Sequence, residues 1–162
     1  MRRIWSRKGW PRAGGAWRQA LVELEICYFV REGEQMPLMW PTLDVQDVEK
    51  SLSFYRDQLG LEQDLAERDG SGALFLASVE TGDTVIMFTR AHPGSPHDSR
   101  PSGVRLTLLF DSGADIDALL ERLQAGGAGV CSPIGNRPWG HRDFTVFDPD
   151  GYHVTIARPL GR

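Results

Sequence analysis

Cysteine is scarce in this sequence of 162 residues: only Cys27 and Cys131 occur, and they form no CxxC pair. That excludes a disulfide framework and suits a reducing cytoplasm, where isolated cysteines are mostly buried packing residues. Long apolar runs are missing as well. A membrane-spanning helix needs roughly 18 consecutive apolar residues, and Glu23 and Glu25 interrupt the longest candidate, residues 21–30. There is no cationic surplus either, with 18 Lys and Arg against 22 Asp and Glu and a net charge of −4. The balance is uneven: residues 1–36 carry seven basic and four acidic side chains, leaving eleven against eighteen, a net −7, for the rest. A nucleic-acid surface is therefore not expected, and any selection exercised by this field favours cations. No GxSxG elbow, no cysteine in an activating signature and no carboxylate pair at catalytic spacing is present, so nucleophilic catalysis has no local mark. What remains is ordinary globular material. With 41% hydrophobic and 25% charged residues, the chain can build one domain or two small modules that share a core. The expectation is a soluble cytoplasmic protein with neither nucleic acid nor membrane as partner.

Residues 1–19, MRRIWSRKGWPRAGGAWRQ, hold three of the five tryptophans, five arginines and no acid, with no helical or strand period. Arg2 and Arg3 lack the apolar segment and small-residue cleavage site of an export signal. Two readings stand. One is a basic arm with aromatic anchors for a membrane surface or a partner; the other is a poorly ordered basic extension over residues 1–35, upstream of a start at Met36 or Met39. The missing period predicts the extension.

From Met36 onward the sequence becomes periodic, and residues 36–162 are read as the folded domain. An apolar run over 38–45 predicts a strand. Asp47 then offers a helix N-cap; Val48, Leu52, Tyr55 and Leu59 share one helical face, and Gly60 is placed to end the helix in the left-handed conformation. Three short strands are expected over 61–68, 72–79 and 84–89, separated by turn residues at 69–72 and 82–83. After a linker rich in Pro, Ser and His, residues 91–102, the order of parts restarts. A strand over 104–110 precedes a cap at Asp115, an apolar stripe of Ile116, Leu119, Leu120 and Leu123, and a stop at Gly126-Gly127. A strand around Val130, a loop over 132–140 and strands over 143–147 and 152–157 follow. Asp148-Pro149-Asp150-Gly151 joins the last two, proline pre-setting the turn and glycine accepting the conformation that other residues resist. Each half reads βαβββ: module 1 over residues 38–90 and module 2 over 103–158. Two such half-sheets would complete one another's core in an α+β arrangement with helices outside. Phe54, Phe75, Phe88, Phe144 and Phe147 are expected in that core.

Two segments carry a resemblance: LDVQDVEKSLSFYRDQLGLE in the first module and NRPWGHRDFTVFDPDGYHVTIA in the second, the PWG followed by DPDG being the more specific. Residues 38–158 resemble the vicinal oxygen chelate superfamily, which includes glyoxalase I, extradiol dioxygenases, fosfomycin-resistance enzymes and bleomycin-resistance proteins. The resemblance implies paired βαβββ modules forming an incompletely closed, eight-stranded barrel-like sheet around a ligand groove, in a chain that is usually a homodimer. In metal-dependent members, four strand positions supply His, Gln or Glu to one divalent ion. Carried over to this chain, they fall on Trp40, Met87, Val104 or Arg105, and Thr155. Indole donates only through N–H and a thioether is a poor ligand for hard ions; the other residues lack the imidazole nitrogen or carboxylate oxygen such ions want. The expectation is no metal and no cofactor, as in the metal-free, bleomycin-resistance-like branch.

The ligand-binding residues expected on this resemblance are Trp40, Met87, Arg105, Trp139, His153 and Thr155. Strand alternation puts His153 on the face of Thr155, opposite Val154 and Ile156. Trp139 resembles the aromatic that, in bleomycin-resistance proteins, helps sandwich a ligand's planar part between subunits; a tryptophan that plugs the dimer seam is the other reading. His92 and His97, in the polar linker, are given no role. Two functions follow. The first is a metal-independent binding protein, of antibiotic-resistance type, that sequesters an amphipathic aromatic compound of basic character. The alternative is an enzyme of this fold, of lyase, isomerase or dioxygenase type, using His141, His153 or Arg105 in acid–base chemistry on a small substrate. The thin catalytic signature leans the expectation toward binding.

Overall fold

The first strand, β1 (Thr42–Val45), begins later than the apolar run suggests. Pro41, just before it, has no N–H to give to a ladder, although its carbonyl still accepts the Met87 N–H at 2.9 Å. The computed structural model describes residues 39–82, 84–91 and 103–161; the expectations for residues 1–35, Cys27, His92 and His97 lie outside them. Asp47 caps α1 (Val48–Ser53) by accepting the Lys50 N–H at 3.1 Å, the bond a free N-terminal N–H requires. The helix widens into a π turn, Phe54–Gln58, and Gly60 reverses the chain at φ +80°, a conformation that costs side-chain-bearing residues energy. Strands β2 (Glu62–Arg68), β3 (Leu74–Thr81) and β4 (Thr84–Arg90) complete a sheet of order β1-β4-β3-β2. Its β1–β4 pair is parallel and the others antiparallel.

The second module repeats the plan. After β5 (Arg105–Leu109), Asp115 caps α2 (Ile116–Ala125) by accepting the Ala118 N–H at 3.0 Å. Strands β6 (Val130–Asn136), β7 (His141–Phe147) and β8 (His153–Pro159) follow, in the order β5-β8-β7-β6. β6 corrects the sequence reading, which gave residues 132–140 to a loop. Pro133 and Gly135 have loop chemistry, but two register shifts against β7 accommodate them in the strand, as bulges do. Cys131 is a second correction, since it is exposed rather than buried; its thiol lies 3.5 Å from the Thr145 carbonyl oxygen. Phe54, Phe88 and Phe144 are core residues, whereas Phe75 and Phe147 are half-buried.

Among the described residues no ladder joins the two sheets, so their eight strands stand as two four-stranded mixed sheets and not as a closed barrel. Each sheet packs one face on its helix. Tyr55 meets Phe88 with ring centroids 4.8 Å apart, and Val154 and Ile156 share the core with Ile116, Leu119 and Leu123. Residues 39–162 form one compact unit.

The DPDG turn clasps the modules together. The Tyr55 hydroxyl donates to Asp148 Oδ2 at 3.0 Å, while Oδ1 accepts the N–H groups of Tyr152 and Asp150. Asp150 in turn accepts the Gln46 N–H at 2.8 Å and the Ser51 hydroxyl at 2.9 Å. The Tyr152 hydroxyl donates to the Asp44 carbonyl oxygen at 3.1 Å. Burial pushes the Asp148 carboxyl up to about 6 despite its three donors, and burial followed by the facing Asp148 raises the Tyr55 phenol well above its ordinary value.

Candidate functional site

Alternation along the strands decides which side chains face away from the helices. In the first module Leu43, Ala77, Ile86 and Phe88 enter the core, so Thr42, Asp44, Ser78, Met87 and Thr89 lie on the opposite, open face. Thr42 stands in register with Met87, and Trp40 shares its parity two residues upstream. The Thr89 hydroxyl donates to Asp44 at 2.8 Å and the Ser78 hydroxyl to Asp64 at 3.0 Å. This face therefore carries carboxylates.

In the second module Leu108, Phe144, Val146, Val154 and Ile156 are buried, which leaves three rows on the open face. Arg105, His153 and Phe147 stand abreast in the first; Thr107, Thr155 and Thr145 form the second; Leu109, Ala157 and Asp143 form the third. The His153 and Phe147 rings are 4.8 Å apart, centroid to centroid, and tilted by 52°. The hydroxyls of Thr145 and Thr155 bond to each other at 2.9 Å. In the third row Asp143 accepts from Arg137 Nε at 2.7 Å, and Arg137 also reaches Ser132 Oγ and the Pro133 carbonyl. These bonds tie down a tight turn in which the Gly140 N–H donates to the Arg137 carbonyl at 3.0 Å. Trp139 sits at its tip, 67% exposed.

At the fifth strand the internal repeat favours Arg105 over Val104. Thr107 paired with Thr155 corresponds to Thr42 paired with Met87. The residue two before Thr107, Arg105, is then the counterpart of Trp40, while Val104 has the other parity. The positions that the resemblance assigns to metal ligands would then present an indole, a thioether, a guanidinium and a hydroxyl bonded to Thr145. Among the described residues no group of three His, Cys, Asp or Glu side chains could hold a metal ion. These residues do not fit a divalent ion that wants imidazole or carboxylate donors.

The residues expected at the site are divided between the two sheets. Trp40 and Met87 belong to the open face of module 1; Arg105, His153 and Thr155 belong to that of module 2. His141 lies beside Pro159, six residues along β7 from Phe147, the partner of His153. At about 3.3 Å per residue the two histidines are about 20 Å apart along the sheet, too far to act on one bond. Sequence reasoning missed Phe147, Thr145 and Arg137 as site residues. Counting outward from the DPDG turn would pair Phe147 with Tyr152 and Thr145 with Val154; the observed register is shifted by one residue, to His153 and Thr155, so the sequence carried no direct signal for them.

This architecture, two βαβββ modules with helices on one side and open sheet faces on the other, defines the class. The chain belongs to the Glyoxalase/Bleomycin resistance protein/Dioxygenase superfamily, whose family model matches residues 38–156. None of the curated proteins matches it. Among solved structures, TnmS3, an antibiotic binding protein from Streptomyces sp. CB03234, is 28% identical with a TM-score of 0.58, over 77% of this chain and 97% of that one. A superfamily member from Sphaerobacter thermophilus DSM 20745 is 25% identical with a TM-score of 0.56, over 76% and 98% of the two chains. The protein PA1353 from Pseudomonas aeruginosa, 21% identical over 78% of this chain and 100% of its own, shares the fold with a TM-score of 0.63.

Proposed function

We propose that this chain is a metal-independent binding protein that sequesters an amphipathic aromatic compound of basic character in the cytoplasm, as a homodimer, without changing it chemically. One observation carries the reading. On the resemblance, the positions that bind the ion in metal-dependent members fall on Trp40, Met87, Arg105 and Thr155, residues that suit stacking, apolar contact and hydrogen bonding. The similarity to TnmS3, an antibiotic binding protein, supports it. So does the exposed Trp139, which offers a ring for stacking, and so do Asp44 and Asp64 on the open face of module 1, which favour a cationic group. Trp139 lies about 20 Å from the Arg105 row along the sheet, so a ligand that touches both within one chain is elongated.

The test is a panel of glycopeptide and aromatic antibiotics titrated in chelator against the protein and its Trp139→Ala variant. Loss of one stacked ring should weaken a positive ligand about tenfold. Unchanged binding of every positive ligand removes the reading. An enzyme of this fold is the second reading, favoured by Arg105 standing in register with His153. Turnover of a small substrate lost in His153→Ala supports it, and turnover that persists in both His153→Ala and His141→Ala removes its named residues.

A further inference from the structure

The two open faces differ in charge. That of module 1 carries Asp44 and Asp64, and by alternation Glu67, opposite Leu76, and Glu80, opposite Val85. The open face of module 2 has one carboxylate in its three rows, Asp143, which Arg137 neutralises at 2.7 Å. Arg105, exposed in the first row, has no hydrogen bond or ion pair among the described residues. Asp143 stands two rows away, about 13 Å along the sheet.

A guanidinium with no partner among the described residues, next to aromatic rings, is a recognition element of a particular kind. Arg105 and His153 are register partners, and His153 lies against Phe147. The guanidinium is a planar fork of five donors that matches two oxygens at once. His153 can add a ring N–H, and the next row adds the exposed Thr107 hydroxyl. The half-buried Phe147–His153 pair, its rings tilted by 52°, supplies aromatic surface in the same row as the fork.

We infer that Arg105, His153 and Phe147 form a subsite for a planar aromatic carboxylate. The inference rests on the reading of the open face as a ligand surface and deepens it. The ligand's acidic group binds the Arg105 row of module 2. Because the row lies about 20 Å from Trp139, a small acid occupies the subsite without touching the hairpin.

The experiment titrates the full chain, by calorimetry, with naphthoate and with the neutral, isosteric naphthamide. Naphthoate should bind about tenfold more tightly than naphthamide, as a charge-assisted bidentate pair implies. The preference should disappear in Arg105→Met, survive in part in Arg105→Lys, and remain intact in Trp139→Ala. Arg105 is exposed at a sheet edge, so these variants keep the fold. Equal affinities for the two probes, a preference that survives Arg105→Met, or no binding of either probe at millimolar concentration would each overturn the subsite. If the antibiotic panel still binds through Trp139 while the probes show no preference, the subsite fails and the sequestering function stands. A preference that persists when no panel compound responds to Trp139→Ala leaves the subsite standing and removes the hairpin's role.

Discussion

The Tyr55 hydroxyl and the Asp148 carboxylate, 93 residues apart in the chain, meet in a buried hydrogen bond of 3.0 Å. Tyr55 lies on the helix of module 1 and Asp148 in the last turn of module 2, so the bond joins the two halves. Tyr55→Phe keeps the ring against Phe88 and removes the donor. Loss of one hydrogen bond to a buried carboxylate should lower stability by about 1.5–3 kcal/mol, measured by urea denaturation. A loss below about 0.5 kcal/mol, the size of an ordinary surface substitution, would mean that the clasp contributes little.

Asp148 also sets a pH dependence. Unfolded, its carboxyl loses the proton near pH 3.9; folded, burial holds that proton up to about pH 6. The native state therefore binds more protons in this window, and the group's stabilising contribution is full below about pH 4 and declines as pH rises through about 6. The change amounts to at most about 3 kcal/mol. Asp57, bonded to Arg56, and Asp69, bonded to Ser71, are held down to about 2, so their contribution is lost as pH falls below about 4. Denaturation of Asp148→Asn between about pH 4 and 7.5 should show a flatter dependence than the unsubstituted protein. Parallel curves would contradict the assignment of this limb to Asp148.

Arg137 holds the hairpin that presents Trp139. Arg137→Met leaves Asp143, 7% exposed, without its cation, and should cost about 2–3 kcal/mol. It should also weaken ligands that stack on Trp139, although that residue is untouched. Arg137→Lys should restore the charge without the fork and recover only part of the stability. Ligand affinity unchanged in Arg137→Met would show that the turn keeps its shape without this brace.

Much of this fold is legible in the sequence because its signals are local. The caps at Asp47 and Asp115, the apolar stripes behind them and the glycine stops each depend on residues a few positions apart, and each recurs in the second module. β6 was hidden because Pro133 and Gly135 are poor strand residues, admitted only by register shifts against β7, a long-range pairing that no local pattern reports. The clasp was hidden for the same reason: DPDG reads as a turn, but its partners Tyr55, Ser51 and Gln46 lie 93, 99 and 104 residues away. At the candidate site, alignment to the family's motifs proposed Trp40, Met87 and Thr155, while preferring Arg105 to Val104 required the register of β5 against β8. The separation of His141 from His153 also came only with the register of β7 against β8.

The central claim, that the open face binds its ligand without a metal, is tested most directly by elemental analysis of the purified protein. The protein is equilibrated separately with nickel, zinc, manganese and iron(II) and then desalted. With an indole, a thioether, a guanidinium and a hydroxyl at the positions that the resemblance assigns to metal ligands, the protein should retain less than about a tenth of an equivalent of every metal. About one equivalent of any of them, lost in His153→Ala, would contradict it.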